Sequence, residues 1–592
     1  MNPKRQLKTI LFSLLSVLLL IGGLNFYMDP FGVFQNDGWF AYRMTRNPRT
    51  AKITYLNTRQ SYNAFVVGSS GSSPLLAESL DQYGKHKYYN TFYYGADMKD
   101  IKETVEYLVN KKAAKEIILP ITFSFAEHYN TGDDDLHYKM KPELDGGNKL
   151  SFYMDYLFAD VRYPYDMFKS SRKKSYIPSS FDVFLPDTGN YDKRVRDTEP
   201  IGSLEQYLKL YPEFIPEKDR IETTAMDSFF SDLKYVSSFL KKKDVKLRLV
   251  MYPLYKTAYQ AYDPKDIADF YKRLHAIDDF WDFTYSSISL DPRYFYDTAH
   301  YRNDVGNMMI YKMFGDKEHF VPDDFGTFVK KGESFSPPQA SEENFEGKIV
   351  TLMLHHIGDE QGNAAVMNDH KLRELFEKIK AKHYTTIGLQ DIYDFVEKGK
   401  ALPERSVLLT FDDGYESNYT RVYPLLKEYR YKALFFPVGC SIGKDTYRNT
   451  NIKMYPHYSL DQMREMKASG LVEFGSHTFD MHQVEMYEKG NADMQTSLLK
   501  RGDERKHIAY LKNDIKRFED EFKDLLGPYK SMAYPSGLHD DLSDVIIKEK
   551  GYDITFTTNE GDDILLKGLK QSMFSMNRIN VSNETDLDQL LQ

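Results

Sequence analysis

Residues 9–28 carry no charge, and this stretch constrains the chain more than any other. As a helix rising 1.5 Å per residue it covers about 30 Å, enough to cross a hydrocarbon core. Lys4, Arg5 and Lys8 precede it, and Asp29 is the first acidic residue. Under the positive-inside rule the basic flank stays in the cytoplasm, so the segment reads as an uncleaved single-pass anchor. A cleaved signal peptide is the competing reading. It would have a shorter apolar core followed by small residues, whereas Gly22-Gly23-Leu24-Asn25-Phe26-Tyr27 follows here. No later stretch of comparable length is both uncharged and apolar, since the uncharged residues 60–77 are rich in Ser and Gly, so the rest is expected outside the membrane, on the extracytoplasmic side.

At 592 residues the chain is about four times the ~150-residue domain size, which predicts two large or three medium domains. Hydrophobic residues at 41% and charged residues at 28% are globular values and exclude a disordered or collagen-like chain. A net charge of −9 argues against nucleic acid as a partner. Cys440 is the single cysteine, which excludes a disulfide framework or zinc ribbon within one chain, and it reads as a small packing residue.

From residue 29 to 320 short apolar runs (64–67, 116–119, 246–251) alternate with amphipathic stretches (98–111, 226–243). That alternation predicts a parallel sheet with crossover helices. Residues 321–346 turn polar and punctuated, with Pro337-Pro338 inside, and read as a linker. A second alternation opens at 349–354 and continues through 406–410, 433–438 and 471–474. The expected organisation is therefore a flank and anchor at 1–28, an α/β domain at 29–320, the linker, and a second α/β domain at 347–592.

The second half carries the stronger chemistry. A buried strand at 406–411 ends in Asp412-Asp413-Gly414. Side chains alternate along a strand, so adjacent acids can take different tasks, one at a metal and one at a proton. Downstream, 472–474 is again strand-like, His477 follows it, and His482 comes five residues later. Two imidazoles and a carboxylate leave room for water, the pattern of a catalytic divalent site. Zinc suits this donor set, and cobalt or nickel would also fit. The plainer alternative is a surface Asp pair with two unrelated loop histidines.

Together these residues resemble the NodB-type polysaccharide deacetylases, carbohydrate esterase family four, over about 349–592. Thr410-Phe411-Asp412-Asp413-Gly414 matches the first motif of that family. His477-Thr478-Phe479-Asp480-Met481-His482 matches the second, in the longer spacing of the poly-N-acetylglucosamine deacetylases of biofilms. Leu354-His355-His356, Ala533-Tyr534-Pro535-Ser536-Gly537 and Arg578-Ile579-Asn580-Val581 are similar to that branch. The resemblance implies a distorted (β/α) barrel with its site at the C-terminal strand ends. It also implies Asp413, His477 and His482 as metal ligands, Asp412 as general base, and the Tyr534 backbone N–H as an oxyanion donor. Two departures stand out. Ser531-Met532-Ala533 occupies the place of the usual arginine, and no histidine follows His539 to act as general acid. His355 and His356 could approach the site or could be structural rim residues.

In the first half, Gly68-Ser69-Ser70-Gly71 follows a buried strand, where a tight turn can expose a nucleophile. Near its end Asp297 stands three residues before His300, which lets a carboxylate orient an imidazole. A merely flexible loop and a chance Asp-x-x-His are the plainer alternatives. Order and separation resemble the SGNH-hydrolase-like proteins of the DltD and AlgJ/AlgX type. That resemblance implies Ser70 as nucleophile, His300 as base, Asp297 as its orienter and Gly95 as an oxyanion donor. The usual third-block Asn is not evident around 121–125.

The combined expectation is a membrane-anchored, metal-dependent N-deacetylase of a poly-N-acetylglucosamine-like surface polymer. The first domain would transfer or remove O-acyl groups on the same polymer, and the polymer's synthesis and export machinery would be a partner. The alternatives are a weakly active polysaccharide-binding scaffold and a peptidoglycan or chitin-oligomer deacetylase.

Overall fold

The computed structural model describes residues 3–34, 46–59, 61–127, 135–173, 175–177, 183–333, 336–360, 362–448, 450–482, 497–500 and 502–591. They fall into two compact units. The first comprises Met1–Lys193, Leu208–Lys317 and Val321–Glu343, the second Arg194–Tyr207, Glu318–Phe320 and Asn344–Gln592. The 194–207 excursion has no counterpart in the division drawn from the sequence. Hydrogen bonds tie it to the second unit: Gln571 Nε2 donates to the carbonyls of Arg196 and Glu199, both at 2.7 Å.

The first unit opens with helix α1 (Pro3–Met28), long and apolar enough to cross a membrane by length and composition. Its buried residues, Gly22, Asn25 and Met28, lie in its last two turns. Strands β1 (Ala64–Val66) and β2 (Tyr88–Asn90) precede helix α2 (Met98–Lys112) and strand β3 (Glu116–Ile121). Asp97 caps α2 by accepting from the Asp100 N–H, and Lys111 and Lys112 face the carbonyl end of its dipole. Helices α3 (Lys149–Leu157), α4 (Arg162–Lys173) and α5 (Met226–Lys242) follow. Strands β4 (Lys246–Met251), β5 (Phe280–Asp282), β6 (Phe295–Asp297), β7 (His300–Tyr301) and β8 (Thr327–Val329) complete the unit.

Six of these strands form one sheet in the order β2-β1-β3-β4-β5-β8, parallel except for β8, which runs antiparallel to β5. All six residues of β3 are buried, as a parallel strand covered on both faces requires. β6 and β7 form a separate antiparallel hairpin.

In the second unit β9 (Glu346–Leu354), β10 (Ser406–Asp413), β11 (Ala433–Pro437) and β12 (Val472–Phe474) pair in parallel in that spatial order. Beyond β12 a bridge links Ser476 to Met532 in β13 (Lys530–Ala533), which pairs with β14 (Tyr552–Phe556). A further bridge joins Phe556 to Met576, and β16 (Ile579–Asn580) pairs in parallel with β9. β15 (Asp563–Leu566) lies antiparallel to the opening residues of β9. The ladder thus begins and ends on β9. Helix α6 (Glu504–Phe522), capped by Asp503, packs Leu511, Ile515 and Phe518 inward.

Candidate active site and metal centre

Asp412 and Asp413 close β10, where the strand runs into Gly414. Asp413 and Gly414 both take positive φ, +70° and +92°. A side chain at Gly414 would crowd Pro437, with a Cβ only 3.0 Å from the Pro437 Cβ. This left-handed turn sends the two carboxylates in different directions.

Asp413 meets two imidazoles. His477 Nε2 lies 3.6 Å and His482 Nε2 3.4 Å from Asp413 Oδ1. The His477 Nδ1–H donates to Ala533 O at 2.8 Å, which fixes the tautomer and leaves the Nε2 lone pair facing Asp413. Burial pushes His477 down to about 4, so the ring is neutral at physiological pH, as a ligand must be. Burial acts to raise Asp413, but the facing imidazoles outweigh it and hold the carboxylate well below the ordinary range. Donors about 2.1 Å from a tetrahedrally coordinated ion lie about 3.4 Å apart, so these separations suit a zinc-sized cation. Asp413, His477 and His482 are therefore a fitting ligand set.

Asp412 points elsewhere, into a buried ion pair. Arg578 Nη1 and Nη2 donate to its two oxygens, both at 2.7 Å, in the parallel fork geometry that makes such pairs strong. Arg578 also donates to Thr557 O at 2.9 Å and Thr410 Oγ1 at 3.2 Å. Burial would raise Asp412, yet Arg578 and the nearby His477 bring it below the ordinary value. The arginine that bonds this carboxylate comes from the segment just before β16 and not from the Ser531-Met532-Ala533 run before Tyr534. A lone arginine in the short run Met576-Asn577-Arg578-Ile579 was the available signal, since a buried guanidinium needs a carboxylate partner.

Two further buried carboxylates support the site, and sequence reasoning missed both. Asp514 on α6 accepts from the Phe479 and Asp480 N–H groups, both at 2.7 Å, and so holds the loop between the histidines. Asp563 on β15 accepts from Thr351 Oγ1 and from the Asn577 N–H, both at 2.7 Å, next to Arg578. Burial raises them to about 6 and about 7.

The Tyr534 N–H, expected to serve an oxyanion, donates to Phe556 O at 2.9 Å instead. The amide continues the β13–β14 ladder one residue beyond Ala533. The Tyr534 ring is buried and stacks on His539 at 4.3 Å. A cavity of about 550 Å³ opens beside Asp413 and His482, with Tyr415, Tyr455 and His457 among its walls. His356 stacks on Tyr455 at 4.0 Å and bonds Ser417, while His355 keeps a buried Nδ1 with no hydrogen-bond partner among the described residues. Cys440 packs against the core and also lines the cavity, and its Sγ donates to Asp480 at 3.2 Å.

The first unit brings its three expected residues together. His300 Nε2 lies 2.9 Å from Ser70 Oγ, and His300 Nδ1 lies 2.9 and 3.0 Å from the Asp297 oxygens. Ser70 starts a single 3-10 turn after β1, and a side chain at Gly71 would collide with the Tyr252 ring at 2.5 Å. Asp297 and His300 sit on facing ends of the β6–β7 hairpin, where the Ala299 and His300 N–H groups also bond the carboxylate. Burial acts to raise Asp297, but His300 outweighs it and brings it to about 2. Gly95 has φ +50° and its carbonyl accepts from Arg49 Nη2 at 3.2 Å.

The family model described as polysaccharide deacetylase matches residues 399–555. The poly-β-1,6-N-acetyl-D-glucosamine N-deacetylase of Escherichia coli K12 is 34% identical over 164 residues, covering 25% of this chain and 24% of the relative. The enzyme of that name from Staphylococcus epidermidis is 28% identical over 194 residues, covering 33% of this chain and 62% of the relative. The chain thus spans about a quarter of the first relative and less than two thirds of the second. Among solved structures, a de-N-acetylase from Aggregatibacter actinomycetemcomitans aligns over 42% of this chain and 100% of its own at 25% identity, with a TM-score of 0.35. IcaB from Ammonifex degensii aligns over 41% and 95% at 23% identity, with a TM-score of 0.34. The C-terminal region of this chain is a polysaccharide deacetylase domain.

Proposed function

We propose that the second unit is a metal-dependent N-deacetylase of an N-acetylhexosamine polymer, with β-1,6-linked N-acetylglucosamine as its substrate class. The observation that carries the reading is the convergence of Asp413, His477 and His482 beside an Asp412 held by Arg578. The ladder that returns to β9 supports a distorted (β/α) barrel with the site at its C-terminal strand ends. Asp413, His477 and His482 would hold the cation, zinc first and cobalt or nickel as substitutes. A cation bound there supplies Lewis-acid polarisation of the acetamide carbonyl and makes the attacking water more acidic.

Asp412 accepts the proton of the attacking water, and the Arg578 fork aims its carboxylate. As the new C–O bond forms and the C–N bond breaks, acetate leaves and the amine takes up a proton. His355, which follows β9 and has a buried Nδ1 that bonds nothing among the described residues, is the group we assign to deliver that proton. The rings of Tyr415 and Tyr455 give the cavity flat faces for a sugar. The exposed amines are cationic near and below their pKa and change how the polymer adheres.

For the first unit we infer an SGNH-like serine acyltransferase or esterase acting on O-acyl groups of the same polymer. Ser70 Oγ attacks the acyl carbonyl, His300 takes its proton, and Asp297 orients the ring. Helix α1 anchors both units at the extracytoplasmic face, near the machinery that makes and exports the polymer. A binding scaffold with weak activity is the second reading, favoured by the commitment of the Tyr534 amide to Phe556.

The test is acetate release by the full chain from β-1,6-linked N-acetylglucosamine oligomers, after chelation and refilling with zinc, cobalt or nickel. Metal-dependent release that disappears in Asp412→Asn supports the reading. Folded protein that releases nothing with any metal overturns it and points to binding or to peptidoglycan or chitin oligomers.

A further inference from the structure

Helices α3 and α4 are apolar on two sides. On one side of α3, Phe152 and Tyr156 pack beneath Phe31 and Val33 in a small core. On the other, Leu150, Met154 and Phe158 follow at four-residue spacing and are exposed, Leu150 by 73%. On α4 and just before it, Val161, Tyr165 and Phe168 follow at spacings of four and three, with Tyr165 exposed by 65%. A helix apolar on opposite faces needs cover on both, and the second face here is exposed.

The position of these helices says what covers them. Asn25 Nδ2, near the end of α1, donates to Leu157 O at 3.1 Å and Ala159 O at 3.0 Å. A Cβ on Gly22 would stand 3.6 Å from the Phe158 ring, so helix and ring are in contact. If α1 spans a bilayer from Lys8, its apolar run reaches about 30 Å only by including its last turns up to Met28. Gly22 is six residues, about 9 Å, before that end. Groups that touch Gly22 from the side therefore sit at the depth where interfacial helices bury their apolar faces, about 5–10 Å below the headgroup boundary. Charge agrees with this. Lys149 and Lys169 are exposed, and the acids on and between the two helices are paired, Asp155 with Lys139 at 2.6 Å, Asp160 with Arg162 at 2.6 Å and Asp166 with Arg46 at 3.5 Å.

We propose that α3 and α4 form an interfacial membrane foot, lying in the outer surface of the bilayer beside α1 with the exposed stripe against acyl chains. This rests on reading α1 as a transmembrane anchor. The foot would set the height and tilt of the first unit above the lipid.

The experiment uses full-length protein in a Cys440→Ala background, with one cysteine at a time. Leu15→Cys, Met154→Cys, Phe168→Cys and, at an exposed position of α5, Lys241→Cys each carry a nitrobenzoxadiazole label. The protein is reconstituted into vesicles of phosphatidylcholine and phosphatidylglycerol containing a shallow or a deep doxyl quencher. The expected result is loss of emission at Leu15 with the deep quencher, loss at Met154 and Phe168 with the shallow one, and none at Lys241. Quenching at Leu15 without quenching at Met154 and Phe168 overturns the foot and leaves the anchor standing. A blue shift at Met154 or Phe168 that grows with protein concentration, without quenching, overturns the foot in favour of a second copy of this chain. No quenching at Leu15 overturns the anchor reading and the foot with it.

Discussion

The two candidate sites of this chain solve the same problem, orienting a carboxylate against a reactive group, by opposite means. In the first unit Asp297 and His300 are three residues apart on one hairpin, and only Ser70 arrives from a distance. In the second, the Asp412 oxygens are held by an arginine 166 residues further along the chain. The first carboxylate is partly open to solvent, with 41% of its side chain exposed, whereas Asp412 and Arg578 are sealed. The local arrangement tolerates water because the hairpin backbone fixes it with two amide hydrogen bonds. The long-range one depends on burial, which strengthens the pair and makes either member costly to leave alone.

The largest expected effect is at the metal ligands. Asp413→Ala or His477→Ala should lower acetate release by about 10³-fold or more, with loss of bound zinc measured by mass spectrometry. Retained activity with metal absent would remove the contrast between a metal site and a serine site.

Next, a serine-directed fluorophosphonate should label Ser70 in the parent protein and not in Ser70→Ala. His300→Ala should slow labelling by about 10²–10⁴-fold, as loss of a general base does. Equal labelling in all three proteins would leave the first unit with no argument for catalysis.

Third, Arg578→Met should destabilise the second unit by about 3–5 kcal/mol, because it leaves the Asp412 carboxylate buried without a partner. Adding Asp412→Asn should restore part of that stability without restoring activity. Thermal unfolding followed beside acetate release separates the two roles. An unchanged melting temperature in Arg578→Met would mean the pair is not sealed.

The smallest effect is a pH slope. Asp563 is raised to about 7 by burial, so between the ordinary carboxylate value near 4 and about 7 the unfolded chain holds fewer protons at this position than the native one. Its contribution therefore falls as pH rises through that window and is fully present below it. Asp563→Asn, which mimics the protonated acid, should flatten denaturant-derived stability between those limits. A parent curve that rises there would contradict the assignment.

The motifs at 410–414 and 477–482, the apolar run at 9–28 and the alternating strands at 64–67, 116–119 and 246–251 were all legible, because each is a local pattern of residue type and spacing. Local patterns carry strand ends, tight turns and ligand spacing, which depend on neighbours within a few residues. The partner of Asp412, the Asp514 brace on the histidine loop and the occupied Tyr534 amide were not legible. Each is a contact between strand ends or a helix that meet only once the ladder has formed. So is the stripe on α3 and α4. Its spacing of three and four residues is written in the sequence, but packing alone decides which of two apolar faces goes inward and which is left exposed. Residue type and spacing thus determined which groups this protein can use. Tertiary structure decided which of them are paired, because burial sets the strength of a charge pair and only the folded chain sets burial.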